Sequence, residues 1–129
     1  MGTGGGGGAI TALKSGNTLE DNIAELKEKF PITGSGYFGK KGQGRKYTRN
    51  IESDNPARKA AEFAAIAGRN PVSSIPIKGK GMTYRMRDGS IVTHRYVSSS
   101  KDGSPVVELT VKNVSGVKSQ KIHFTKKGK

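Results

Sequence analysis

The stretch MTYRMRDGSIVTHRYV, residues 82–97, decides the fold. Met82, Tyr84 and Met86 alternate with Thr83, Arg85 and Arg87, and a period of two sends successive side chains to opposite faces of a strand. Asp88-Gly89 then supplies the two residue types that accept the positive backbone angles of a tight hairpin turn. A second strand over Ile91–Val97 follows. Downstream, Val106–Lys112 carries Val107, Leu109 and Val111 on one face, and Gln120–Thr125 carries Ile122 and Phe124. Polar turns over Ser98–Ser104 and Asn113–Lys118 separate these strands. The pattern predicts a meander of about four antiparallel strands.

Upstream the period changes to that of a helix. Leu19, Ile23, Leu26 and Phe30 recur at spacings that form one apolar face. Asn17 is the expected cap, with Glu20 three residues on completing a capping box. Glu20, Asp21 and Glu25 come early in this helix and Lys27 and Lys29 late, as the helix dipole favours. Pro31 stops it. A second helix starts near Asp54, capped by Asp54 or Asn55, with Pro56 in its first turn. Ala60, Phe63, Ala64 and Ala67 give it a narrow face of mostly small residues, and Gly68 ends it. The expected architecture is therefore α+β: N-terminal helices packed on one face of a four- to five-stranded antiparallel sheet.

A run of five glycines, Gly4 to Gly8, has no side chains to bury and reads as a linker. Residues 31–51 are rich in Gly, Lys and Arg and contain no acid. They read as a loop in which Tyr37, Phe38 and Tyr47 either stack on nucleic-acid bases or pin the loop to the core. On this reading residues 1–50 form a Gly-rich N-terminal linker segment with one helix, and residues 51–129 form the functional domain.

The 129 residues suit a single domain. Lys and Arg number 23 against 10 Asp and Glu, a net charge of +13, which points to a polyanionic partner. The chain has no Cys, which excludes disulfides, iron–sulfur clusters and thiolate zinc sites. Two His and few acids leave little to hold a metal, so no metal site and no cofactor are expected. No apolar run approaches the roughly 18 residues needed to span a membrane.

Strand alternation sorts the candidates for chemistry. Glu108 should point away from the helices, and so should Lys121 and His123, opposite Ile122 and Phe124. Thr83, Arg85 and Arg87 should do the same in the first strand. In the second strand, either Thr93 and Arg95 or His94 and Tyr96 share that open face, depending on the register of the turn. A carboxylate, one or two imidazoles and several cations together make the set needed for RNA cleavage without a metal. A base removes the 2′-hydroxyl proton, an acid protonates the leaving 5′-oxygen, and cations neutralise the phosphorane. Imidazole is suited to this work because it titrates near neutral pH. The candidate catalytic set is His94, Glu108, His123 and Arg95, while Glu108 is equally placed simply to pair with Arg95. Candidate phosphate-binding residues are Arg85, Arg87, Lys121, Thr93, Ser98, Ser100 and Lys78.

Four segments together, DGSIVTHR (88–95), SSS (98–100), DGSPVVE (102–108) and VKSQKIHF (117–124), resemble the C-terminal toxic domains of bacterial polymorphic toxins, including contact-dependent growth inhibition effectors. The resemblance covers roughly residues 80–125. It implies a barnase/EndoU/colicin/RelE-like fold, with helices before a four- to five-stranded antiparallel sheet. It also implies ribonuclease activity, often on tRNA, carried here by His94, Arg95, Glu108 and His123 with Lys121 and Arg85 in support. Domains of this kind are exported within a larger effector and act in the cytoplasm of a target bacterium. They are neutralised by a dedicated, often acidic, immunity protein, and some engage elongation factor Tu. The competing expectation is a non-catalytic basic RNA-binding module of the ribosomal-protein type. A DNase is disfavoured by the shortage of metal ligands.

Overall fold

A computed structural model describes residues 16–97, 103–112 and 114–126. Helix α1 spans Leu19–Lys29 and is followed by strands β1 (Lys40–Lys41) and β2 (Thr48–Ser53), helix α2 (Pro56–Ala67), and strands β3 (Ser73–Pro76), β4 (Gly81–Arg85), β5 (Ile91–Arg95), β6 (Val106–Thr110) and β7 (Gln120–Lys126). The strands form one mixed sheet in the order β1-β2-β7-β6-β5-β4-β3. The α+β class expected from sequence holds. The sheet has seven strands rather than four or five, and it is mixed because β2 runs parallel to β7.

Two of the additional strands come from the stretch read as a loop. β1 and β2 pair antiparallel, and β2 continues the sheet beside β7. The third, β3, is exposed at all four positions. It lies at the opposite edge, where Pro76 costs no ladder hydrogen bond on the open side. The sequence order is thus helix, two strands, helix, five strands, and not two helices followed by a meander.

Helix α1 is capped one residue later than expected. Thr18 Oγ1 accepts the Asp21 N–H at 3.0 Å, and Asp21 accepts the Thr18 N–H at 2.9 Å. Asn17 instead donates its side-chain amide to Asn22. Asn22, itself buried, donates to the carbonyls of Ala67 and Arg69 and so ties α1 to the end of α2. Helix α2 starts as expected, with Asn55 as cap and Pro56 in its first turn, and Gly68 is its C-cap.

The core lies between the helices and one face of the sheet. Phe63 of α2 is its centre. The rings of Phe30, Phe38 and Phe124 meet it edge-on at 4.9, 5.1 and 5.6 Å, an arrangement favoured by the ring quadrupoles. Leu19, Ile23 and Leu26 of α1 share this cluster with Val92, Val107, Leu109 and Ile122. The domain boundary expected at residue 50 therefore does not divide the packing. It falls inside β2, and α1 packs into the same core as the later strands.

The basic stretch between the helices is ordered by buried polar contacts. Arg49 is 8% exposed, and its guanidinium donates to the carbonyls of Phe38, Lys46 and Gly39. The same guanidinium lies 5.0 Å from the Tyr37 ring centre. Gln120 of β7 accepts the Phe38 N–H and donates to Gly36 O. Tyr37 and Phe38 are buried, so they anchor the segment to the core, while Tyr47 is 44% exposed.

The turn at Asp88-Gly89 forms as expected. Gly89 has φ +90°, and Met86 N–H donates to Ser90 O at 2.8 Å. Asp88 accepts the Ser90 N–H at 2.9 Å and, through its other oxygen, the Leu19 N–H at 3.1 Å. The hairpin is thereby fastened to the start of α1.

Candidate functional site

The face of the sheet away from the helices is defined by alternation. Val92, Val107, Leu109, Ile122 and Phe124 enter the helix-covered core. The residues between them point the other way. One cross-strand row on this open face reads Thr48, Lys121, Glu108, Thr93, Thr83. The adjacent row reads Lys40, Asn50, His123, Val106, Arg95. Directly opposed side chains in such rows have Cβ atoms about 5 Å apart, and diagonal neighbours about 7 Å.

Glu108 is thus flanked by Lys121 and Thr93 and lies diagonal to His123 and Arg95. No ion pair ties Glu108 to Lys121 or Arg95 among the described residues. Glu108 and Arg95 are exposed, and Lys121, His123 and Thr93 are half-buried. Val106, between His123 and Arg95, is 0% exposed yet lies outside the main core cluster. The imidazole and the guanidinium are therefore separated along this row by an enclosed apolar residue.

The structure resolves which residues of β5 share this face. Thr93 and Arg95 do. His94 lies on the other face with Val92 and is buried, 8% exposed. Burial holds its imidazole below the ordinary pKa, because desolvation disfavours the charged ring. Its ring meets Tyr96 edge-on at 5.0 Å. His94 is not brought together with Glu108 and His123, because the sheet stands between them. The turn fixes this: Met86–Ser90 closes with Arg85 opposite Ile91, and every following pair takes its face from that register.

The expected phosphate ligands separate in the same way. Arg85 stands on the open face at the far end of β4, opposite Ile91 and Ser73. Arg87 is taken up at the start of α1. Its Nε donates to Gly16 O at 2.7 Å, and its guanidinium lies 3.7 Å from the Asp21 carboxylate. Lys78 is in the β3–β4 turn with φ +25°, near the outer edge of the sheet. Ser98 and Ser100 lie outside the described residues. Sequence reasoning missed Asn50 and Lys40, which β1 and β2 place in the same row as His123. The signal was the alternation of Thr48, Asn50 and Glu52 with Arg49 and Ile51, masked by a charged residue at an inward position.

Among the described residues, no three His, Asp or Glu side chains gather into a group able to hold a metal. No helix among them is long and apolar enough to cross a membrane. No family model, no curated protein and no solved structure matches the chain.

Proposed function

We propose that the open sheet face binds RNA and cleaves it without a metal, as the toxic domain of an exported bacterial effector. The observation that supports this reading is the register that sets Glu108, Lys121, His123, Thr93 and Arg95 at adjacent positions on one face. Glu108 acts as the base and takes the 2′-hydroxyl proton. The freed oxygen attacks the adjacent phosphorus, and the bond to the 5′-oxygen breaks. His123, entering protonated, gives its proton to that oxygen. The products are a 2′,3′-cyclic phosphate and a 5′-hydroxyl. Arg95 and Lys121 neutralise the phosphorane, which is where preorganised charge contributes most to rate. The net charge of +13 draws the polyanion to the surface.

The biological setting rests on the resemblance of residues 80–125 to polymorphic-toxin domains. It gives tRNA as the substrate, an acidic immunity protein as the inhibitor, elongation factor Tu as a further partner, and the target cytoplasm as the place of action. Incubation with total tRNA in EDTA tests the chemistry. Discrete fragments with cyclic phosphate ends are the expected result. Retention of RNA in a gel shift without any cleavage would leave the face as a binding surface alone.

A further inference from the structure

A concavity of the described surface lies at the β1 edge of the sheet. A cavity of about 490 Å³ sits between the end of α1, the start of α2 and the short strand β1. Phe30, Pro31, Ile32 and Ile51 give it mostly apolar walls. Its existence follows from the length of β1. This strand begins only at Lys40, opposite Asn50, so the rest of β2 is left uncovered on that side. Gly39, at φ +69°, turns the chain away there. A Cβ at that position would collide with Asn50 O and the Ile51 side chain. The close approach is possible only without a side chain.

The polar groups at the rim are specific in kind. Lys29, Lys40 and Lys59 line the cavity from α1, β1 and α2, with Asn50 and Glu52 from β2, and Lys59 Nζ pairs with Glu62 at 3.4 Å. Lys59 Nζ lies 5.8 Å above the Phe30 ring. An apolar slot of this volume suits a small planar ligand. Lys29 and Lys40, which form no ion pair among the described residues, suit a phosphate. Asn50 also stands directly opposite His123 in the sheet, one strand spacing of about 4.8 Å away. One residue of the row that carries the imidazole therefore also lines the cavity.

We propose that this cavity is a nucleotide subsite: it takes one unpaired base of an RNA strand against Phe30 and Ile51, with its phosphate at Lys29 and Lys40. The assignment of RNA rests on the reading of the open face given above. The subsite would hold a nucleotide next to the scissile phosphate and so set which bond reaches Glu108 and His123.

The test uses the whole chain and two readouts. The 5′-monophosphates of adenosine, guanosine, cytidine and uridine are titrated while backbone amide shifts are followed by NMR. KM for a short single-stranded RNA is compared between the wild type and the Lys29→Ala/Lys40→Ala double variant. Both lysines are exposed, and circular dichroism checks that the fold persists. The expected result is saturable shifts at Ile32, Lys40, Asn50 and Glu52 with at least one nucleotide, and a KM raised about tenfold in the double variant, the usual effect of losing charged hydrogen bonds. If the wild type cuts no RNA, the dissociation constant for the same RNA replaces KM, so the subsite is judged apart from the catalytic reading. Absence of pocket shifts with all four nucleotides overturns the proposal. So does an unchanged KM, which would leave only free-nucleotide binding. A raised KM without pocket shifts would reduce the lysines to diffuse attraction and also overturns it.

Discussion

Glu108 on β6 and Lys121 on β7 stand directly opposite each other on the open face without forming an ion pair. A surface pair of this kind would contribute little to stability in any case. On the proposed reading, the lysine serves a phosphate and the carboxylate a hydroxyl. Glu108→Gln keeps the size and hydrogen-bonding shape of the side chain but removes the base. Cleavage should fall by about 10²–10⁴-fold in kcat, the usual contribution of a positioned base, with KM little changed. Single-turnover rates on a labelled RNA measure this. A loss confined to KM would make Glu108 a binding residue.

The two histidines should behave oppositely. His123 shares a face with Glu108, and His94 is on the far side of the sheet among core residues. His123→Ala should lower cleavage at least about hundredfold, through loss of the acid. His94→Gln should retain the wild-type rate at neutral pH. The same RNA assay reads both, and a rate loss in His94→Gln with normal rates in His123→Ala would move the catalytic site to the other face.

What could be read from the sequence divides along physical lines. Elements with strong local signals came out correctly: the Asp88-Gly89 turn, the Asn55-Pro56 helix start, and the strand faces of Glu108 and His123. Each depends on residues close in sequence. The parallel pairing of β2 with β7 could not be read this way, because it joins Asn50 to His123 across most of the chain and leaves no local trace. β2 was further disguised by Arg49, a charged residue in an inward position, which three main-chain carbonyls of the preceding segment make tolerable. β3 was disguised by its two serines and Pro76, which only an edge strand accommodates. The cap of α1 was missed by one residue because Asn17 and Thr18 are both good caps. The choice was made by the Asp21 carboxylate, which lies three residues beyond Thr18.

His94 should make stability depend on pH. Its folded pKa is lowered by burial, while the unfolded chain restores the ordinary value of about 6.5. Between these two values the unfolded state binds the proton and the folded state does not. Unfolding is therefore favoured as pH falls, and stability rises with pH across that window. The expected outcome is a urea midpoint that declines from about pH 7.5 to about pH 5.5, with a shallower decline in His94→Gln. An identical slope in the variant would show that the ring is free to protonate in the folded protein.

Arg49 should be among the most costly positions to change, although it is basic and lies in a stretch that reads as a loop. It donates to Phe38 O at 3.1 Å, Gly39 O at 2.9 Å and Lys46 O at 3.1 Å, and it stacks over Tyr37. Hydrogen bonds to charged groups contribute about 1.5–3 kcal/mol each, and carbonyls left buried without a donor add a desolvation cost. These terms are not additive, so about 3 kcal/mol is expected for Arg49→Ala. Arg49→Lys should recover only part of this, because one ammonium cannot reach three carbonyls in the fork geometry. Urea unfolding gives both values. The same variants test the link to function, since the segment that Arg49 holds also places Lys40 and Asn50 in the row of His123. Arg49→Lys should therefore lose RNA affinity at temperatures where it is still folded. Full RNA affinity in a folded Arg49→Lys variant would show that Lys40 and Asn50 keep their places without the guanidinium.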